Sequence, residues 1–204
     1  MIILLILVLL ISITFHEYAH GWMAYKLGDP TPAASGRLTL NPLAHIDPFG
    51  TIILPILLLV ISKGALSFGY AKPVPINPYH FKNPRKDIMW VGIAGPLANF
   101  LIAFILSLML KMGIPAFFED VIIWGIIINL ILGIFNLIPI PPLDGSKIIA
   151  SFLPYRLSCG YLRLQTYGFI FIILLINLGF FNLFIIPAIK VIFSLWGIGG
   201  YCPF

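Results

Sequence analysis

Five long apolar runs constrain this chain more than any other feature: residues 2–25, 51–62, 88–110, 121–139 and 166–196. Crossing a bilayer as a helix takes about 20 apolar residues, because hydrocarbon offers no water to backbone N–H and C=O groups. The first, third and fourth runs reach that length. The last suffices for one tilted span or for two shorter ones, broken near Asn177-Leu178-Gly179 and Pro187. The chain is 60% hydrophobic and 9% charged, with a mean hydropathy of +1.06, where soluble proteins are about 25% charged. These features predict an all-α polytopic membrane protein, a bundle of about 4–6 transmembrane helices with small extended loop elements. Residues 1–204 are expected to form a single domain with no sizeable soluble module.

The second run is the exception. Thr51 to Ser62 would span roughly 18 Å as helix at 1.5 Å per residue, and it contains Pro55. A re-entrant segment is the preferred reading, a short crossing the alternative. The charges agree with re-entry: Lys26, Arg37, Lys63, Lys72, Lys82, Arg85 and Lys86 would then share the cytoplasmic side with Arg156 and Arg163. The same pattern explains the net charge of +5 without nucleic acid, and no nucleic-acid partner is expected. The first run carries no basic residues ahead of it, unlike a secretory signal, and is read as part of the mature protein. Cys159 and Cys202 have no metal-site spacing.

Inside that first run stands His16-Glu17-Tyr18-Ala19-His20. Residues four apart lie on one face of a helix, so His16 and His20 can bind the same metal ion. Glu17 lies between them, placed to act as a base toward water. Ionisable groups at membrane depth are costly and are functional candidates by default.

Catalytic zinc normally takes three protein ligands and keeps a fourth position open. The best candidate for the third is Asp144, which follows an apolar span within Asn136-Leu137-Ile138-Pro139-Ile140-Pro141-Pro142-Leu143-Asp144-Gly145. Capping of a helix that opens at Gly145 is its alternative role. Pro139, Pro141 and Pro142 cannot continue a helical ladder, so this stretch must be kinked or extended. Such backbone is tolerated at membrane depth only where it is buried or lines a wet cavity. A peptide bond inside a helix is shielded, so a protease acting there must bind its target extended. Residues 36–40, which alternate like a short strand, and the proline-rich 71–78 are candidate edges for that pairing.

Two amides inside apolar runs, Asn136 and Asn99, are candidates for binding the substrate backbone or an oxyanion. Interhelical hydrogen bonding is the alternative for both and is preferred for Asn99. Gly92 and Gly95 are read as sites of close helix approach. His45 and His80 are read as surface loop residues.

With these motifs in order, the chain resembles the site-2 protease family of intramembrane zinc metalloproteases. The resemblance rests on His16 to His20, on Gly95-Pro96-Leu97-Ala98-Asn99, and on Asn136 through Asp144-Gly145. The loop Phe68 to Pro78 is similar to that of a compact bacterial and archaeal branch, and no PDZ-like or CBS-like stretch is evident. The resemblance implies that His16, His20 and Asp144 bind one Zn2+ per chain and that Glu17 is the general base. It implies further that Asn136 helps to bind substrate and that the substrate is a membrane-spanning segment of another protein. The implied setting is regulated intramembrane proteolysis by a multi-pass protein of the cytoplasmic membrane. Two other readings use the same residues: a metal transporter, and an inactive relative that holds a client helix without cutting it.

Overall fold

The computed structural model describes residues 2–53, 57, 60, 69 and 71–204. Among the described residues all regular structure is helical. The main elements are α1 (Ile2–Lys26), α2 (Pro84–Lys111), α3 (Ala116–Asn136), α4 (Asp144–Phe152), α5 (Tyr155–Arg163), α6 (Gly168–Asn177) and α7 (Ile186–Leu195). Three of them, α1, α2 and α3, are long and apolar enough to cross a membrane. A fourth span results if Tyr155–Tyr167 and Ile170–Asn177, which meet at 71°, count as one bent crossing. The last apolar run is thus broken into short helices rather than one tilted span. The protein is a multi-pass integral membrane protein. Whether residues 51–62 re-enter or cross lies outside the described residues.

Helix α1 is inside out relative to a helix of a soluble protein. Ser12, Thr14, His16 and His20 are buried, while Ile3, Leu4, Leu7, Ile11 and Trp22 are exposed. In lipid the apolar face costs nothing outside, and polar groups are forced toward protein partners. The Ser12 and Thr14 hydroxyls donate to the carbonyls of Val8 (2.8 Å) and Leu10 (2.7 Å), one turn back.

Helix α2 opens with Pro84 at its first position, where a missing N–H costs nothing. The Asp87 carboxylate accepts from the Asn83 N–H at 2.9 Å and closes that end. Its buried face carries Gly92, Ala94, Gly95 and Pro96, small residues that admit neighbouring elements closely. A Cβ on Gly92 would stand 3.0 Å from Lys147 Cβ and 3.2 Å from the Asp144 carbonyl oxygen, so α4 packs there at backbone distance.

The prolines after α3 make tight turns rather than an extended strand. Ile140 N donates to Ile138 O at 2.8 Å and Leu143 N to Ile140 O at 2.9 Å. These turns fold α4 back onto α2. Gly145 permits the reversal, since a Cβ there would meet the carbonyls of Leu137 and Ile138. The C-terminal helices complete the body: Ile189 and Phe193 of α7 share a core with Ala103 and Leu110 of α2 and Ile126, Ile127 and Leu130 of α3. In a lipid-embedded body such contacts stabilise through close packing.

Two loop expectations need correction. Residues 37–40 form bends, not a strand. The Arg37 guanidinium donates to the Ala44 carbonyl, His45 Nε2 donates to Thr39 O at 2.9 Å, and Asn41 caps the turn Pro42–His45. These local bonds curl the loop upon itself, and among the described residues no strand pairs with it. His45 is consequently buried, at 2% exposure, rather than a surface residue. His80 is half-exposed, and its Nδ1 lies 2.9 Å from Asp29 Oδ1. Asp29 itself is fully buried and also accepts from the Thr31 hydroxyl (2.5 Å), the Thr31 N–H (3.0 Å) and the Asn77 N–H (2.7 Å). That hub ties the end of α1 to the approach to α2.

Candidate metal centre

His16 and His20 occupy consecutive turns of α1, with ring centroids 4.6 Å apart and planes at 83°. Asp144, the first residue of α4, faces them from 128 and 124 positions away in sequence. Its Oδ2 lies 3.0 Å from His16 Nε2 and 3.0 Å from His20 Nε2, and the two Nε2 atoms are 3.0 Å apart. All three side chains are buried, at 4–6% exposure. Among the described residues this is the group of three His, Cys, Asp or Glu side chains close enough to hold one metal ion.

The outer hydrogen bonds decide what faces the centre. His20 Nδ1 lies 2.6 Å from the Val91 carbonyl, which can only accept, so that nitrogen carries the proton. His16 Nδ1 lies 2.6 Å from Asn99 Oδ1 and carries its proton for the same reason. With a proton on each Nδ1, the two Nε2 atoms and Asp144 Oδ2 face one another 3.0 Å apart, an arrangement in which all three can donate to one cation at their centre. Two imidazoles and one carboxylate, with a fourth position open, form a donor set that fits zinc.

The surroundings hold each donor. Lys147, one turn along α4, places Nζ 2.8 Å from Asp144 Oδ1 and leaves Oδ2 to the histidines. Gly95 of α2 lies against both rings: a Cβ there would come within 2.7 Å of His16 Cε1 and 2.6 Å of His20 Cε1. Gly92 and Gly95 thus do allow close approach, the second toward imidazoles rather than a helix backbone.

One side of the centre opens on a cavity of about 440 Å³. Glu17, Asn136, Lys147 and Pro73 are among its lining residues, with Phe135 and Ile172 supplying apolar wall. Glu17 Oε2 accepts from the Val74 N–H at 3.1 Å, so the proline-rich loop 71–77 is tied beside it. This loop has no regular secondary structure. As a pairing edge it offers fewer donors than its extended shape suggests. Lys72 N donates to His45 O and Asn77 N to Asp29, while Pro73 and Pro75 have no N–H.

The two amides separate. Asn136 lines the cavity and spends one N–H on the Leu132 carbonyl at 3.0 Å. Asn99 is fully buried, and its amide bonds His16, Ser12 O (3.3 Å) and Asn129 Oδ1 (2.9 Å). The polar atoms of Asn99 are engaged with His16, Ser12 and Asn129, the interhelical bonding preferred for it from the sequence. Sequence reasoning missed three contributors: Lys147, Asn129 and the Val91 carbonyl. Lys147 was discoverable, since i and i+3 meet on a helix. Asn129 shared the signal of Asn99, an amide inside an apolar run. The Val91 carbonyl had no side-chain signal at all.

Comparison with known proteins agrees with this geometry. The family model for peptidase family M50 matches residues 4–115 and 111–176. The "Putative zinc metalloprotease YwhC" of Bacillus subtilis (strain 168) is 41% identical over 185 residues, 84% of this chain and 78% of that protein. The "Putative zinc metalloprotease Rip2" of Mycolicibacterium smegmatis is 27% identical over 200 residues, covering 94% of this chain and 73% of that one. The "Zinc metalloprotease MJ0392" of Methanocaldococcus jannaschii is 29% identical over 166 residues, 78% of this chain but 36% of its own length. No solved structure matches the chain significantly. A convergent group of side chains able to hold a metal ion inside a membrane-spanning body, found in a chain that this family model matches over most of its length, leads to one conclusion: the chain belongs to peptidase family M50, the site-2 protease family, and is a zinc metalloprotease.

Proposed function

We propose that the protein is an intramembrane endopeptidase, cutting peptide bonds within or near the membrane-spanning segments of client proteins. The observation that carries this reading is the position of the cavity: His16, Glu17, His20 and Asp144 all line it, and the first three belong to membrane-spanning α1. A centre at that depth is reached by a membrane segment more readily than by a soluble chain. On this reading residues 1–204 act as one domain, which the shared core of α2, α3 and α7 supports. Regulated proteolysis in the cell membrane is the setting that follows from family membership.

In the proposed chemistry His16, His20 and Asp144 hold one zinc ion. Zinc, when bound, supplies Lewis acidity toward water and toward a carbonyl oxygen. Glu17 takes the proton of the attacking water and returns it to the leaving amine. The Val74 N–H fixes the carboxylate's orientation for both transfers. Asn136 keeps a second amide N–H and its carbonyl oxygen for an extended substrate backbone. The apolar wall at Phe135 and Ile172 suits the side chains of a membrane segment.

The test is co-reconstitution of the full chain with a panel of single-span membrane proteins, cleavage sites being mapped by mass spectrometry. The expected result is a cut in or beside the apolar segment, absent with Glu17→Gln although that variant keeps its zinc. Cleavage that persists in Glu17→Gln, or that falls only in soluble regions remote from the span, overturns the proposal.

A further inference from the structure

We infer that Asn129, on α3 and outside the metal centre, is a positioning residue that sets the tautomer of His16 through a one-directional chain of hydrogen bonds. The inference rests on the reading of His16 as a zinc ligand. Its starting point is the Ser12 hydroxyl, which donates to the Val8 carbonyl at 2.8 Å. Its single proton is then spent, so the Ser12 oxygen can only accept from Asn129 Nδ2, 2.8 Å away. The other N–H of Asn129 goes to the Gly125 carbonyl at 2.9 Å. With Nδ2 committed to two acceptors, Asn129 must turn Oδ1 toward Asn99, whose Nδ2 donates at 2.9 Å. The second Asn99 N–H reaches the Ser12 carbonyl at 3.3 Å. Asn99 Oδ1 is thereby left for His16 Nδ1 at 2.6 Å.

Each amide is held by one backbone carbonyl and one side chain: Asn129 Nδ2 by Gly125 O and Ser12 Oγ, and Asn99 Nδ2 by Ser12 O at a long 3.3 Å and more closely, at 2.9 Å, by Asn129 Oδ1. Reversing either amide would set a carbonyl oxygen against another carbonyl oxygen, and both amides are buried, at 0% and 1% exposure. An unpaired polar group at such a site costs several times what a normal hydrogen bond contributes. The end of the chain is a ring with its proton on Nδ1 and its lone pair on Nε2, the atom 3.0 Å from Asp144 Oδ2. His20 reaches the same state by a shorter route, through the Val91 carbonyl. His16 needs the amide relay because an asparagine, unlike a carbonyl, has two possible orientations. Three spanning helices take part, α1 with Ser12 and His16, α2 with Asn99 and α3 with Asn129, so the relay also makes the ligand state depend on their assembly.

The test uses the full chain in detergent, as wild type, Asn129→Leu and Ser12→Ala. Zinc affinity is read by competition with a chromophoric chelator, and the His16 tautomer by 15N NMR of histidine-labelled, zinc-stripped protein. Wild type is expected to show one tautomer, with the proton on Nδ1. Asn129→Leu is expected to show mixed tautomers and an affinity about ten- to a hundredfold weaker, the range for lost outer-shell partners. Ser12→Ala, a smaller change that removes one of the two acceptors of Asn129 Nδ2, is expected to shift both readouts the same way by a smaller amount and carries the test should Asn129→Leu fail to fold. A purely structural role would lower thermal stability without moving either readout, and that result overturns the inference. Wild type that binds no zinc would instead overturn the assignment of the site, and the relay with it.

Discussion

The backbone N–H of Val74 donates to Oε2 of Glu17 at 3.1 Å, joining residues 57 positions apart. This contact makes a loop outside the spans part of the site's geometry, because it fixes the carboxylate that stands beside the proposed zinc ligands. Hydrogen bonds to charged groups contribute about 1.5–3 kcal/mol. Val74→Pro removes the N–H and exchanges the buried valine side chain for a proline ring, in a segment whose prolines already impose a similar backbone. The expected outcome is a kcat lower by roughly tenfold or more, with zinc content unchanged. A variant with wild-type kcat would show that the loop does not position Glu17.

Gly95 sets the distance between α2 and the two imidazoles. Gly95→Ala would push its methyl against His16 Cε1 and His20 Cε1, at 2.7 and 2.6 Å. Overpacking of this kind costs about 1–3 kcal/mol when neighbours yield, and here the neighbours are the two histidines of the proposed zinc site. Zinc per chain, measured by atomic spectroscopy on purified protein, is expected to fall well below that of wild type while the protein remains helical by circular dichroism.

Lys147 holds Asp144 Oδ1 at 2.8 Å and so presents a single oxygen to the histidines. Lys147→Met keeps the stem beside Gly92 but loses the charge. Its zinc affinity is expected to drop about tenfold, as for other outer-shell losses, and Lys147→Arg should recover part of it. Chelator competition separates the two. Equal affinity in wild type and Lys147→Met would remove Lys147 from the site.

Asp29 provides an acid-sensitive point outside the spans. Burial alone would raise its pKa. The Thr31 hydroxyl, the Asn77 N–H, His80 and the Thr31 N–H together outweigh burial and hold it below the ordinary carboxylate value. A lowered pKa in the folded state means that the stabilisation is present above the unfolded-state value, about 3.9. It is lost as pH falls from there through the folded value. Asp29→Asn is therefore expected to lower the unfolding temperature at pH 7. The gap to wild type should narrow as pH falls below about 4. Thermal scans in detergent across that range check both statements.

How much was legible in the chain itself varies by residue. His16 and His20 declare a shared face because helical spacing is a local rule. Asp144 stood out as an acid just past a span, behind prolines that had to break the helix. His45 was misread because burial of a loop histidine depends on Arg37, Ala44 and Thr39 folding over it, which no periodicity records. The alternation at 36–40 promised a strand, but a strand exists only with a partner, and local capping won. Asn99 and Asn136 looked alike as amides in apolar runs. What separates them is that one meets His16, Ser12 and Asn129 while the other lines the cavity.

Composition and helical period were enough to determine a membrane-spanning, all-helical chain with two histidines on one face of its first span, spaced to share a metal ion, because both act through neighbours in sequence. Tertiary structure alone decided the rest. It brought a carboxylate from 124 residues beyond His20 to complete the donor set. It oriented each imidazole by a hydrogen bond to another helix, and it laid the Val74 backbone against the Glu17 carboxylate. Those are contacts between distant segments, and their distances and proton directions exist only once the helices are packed.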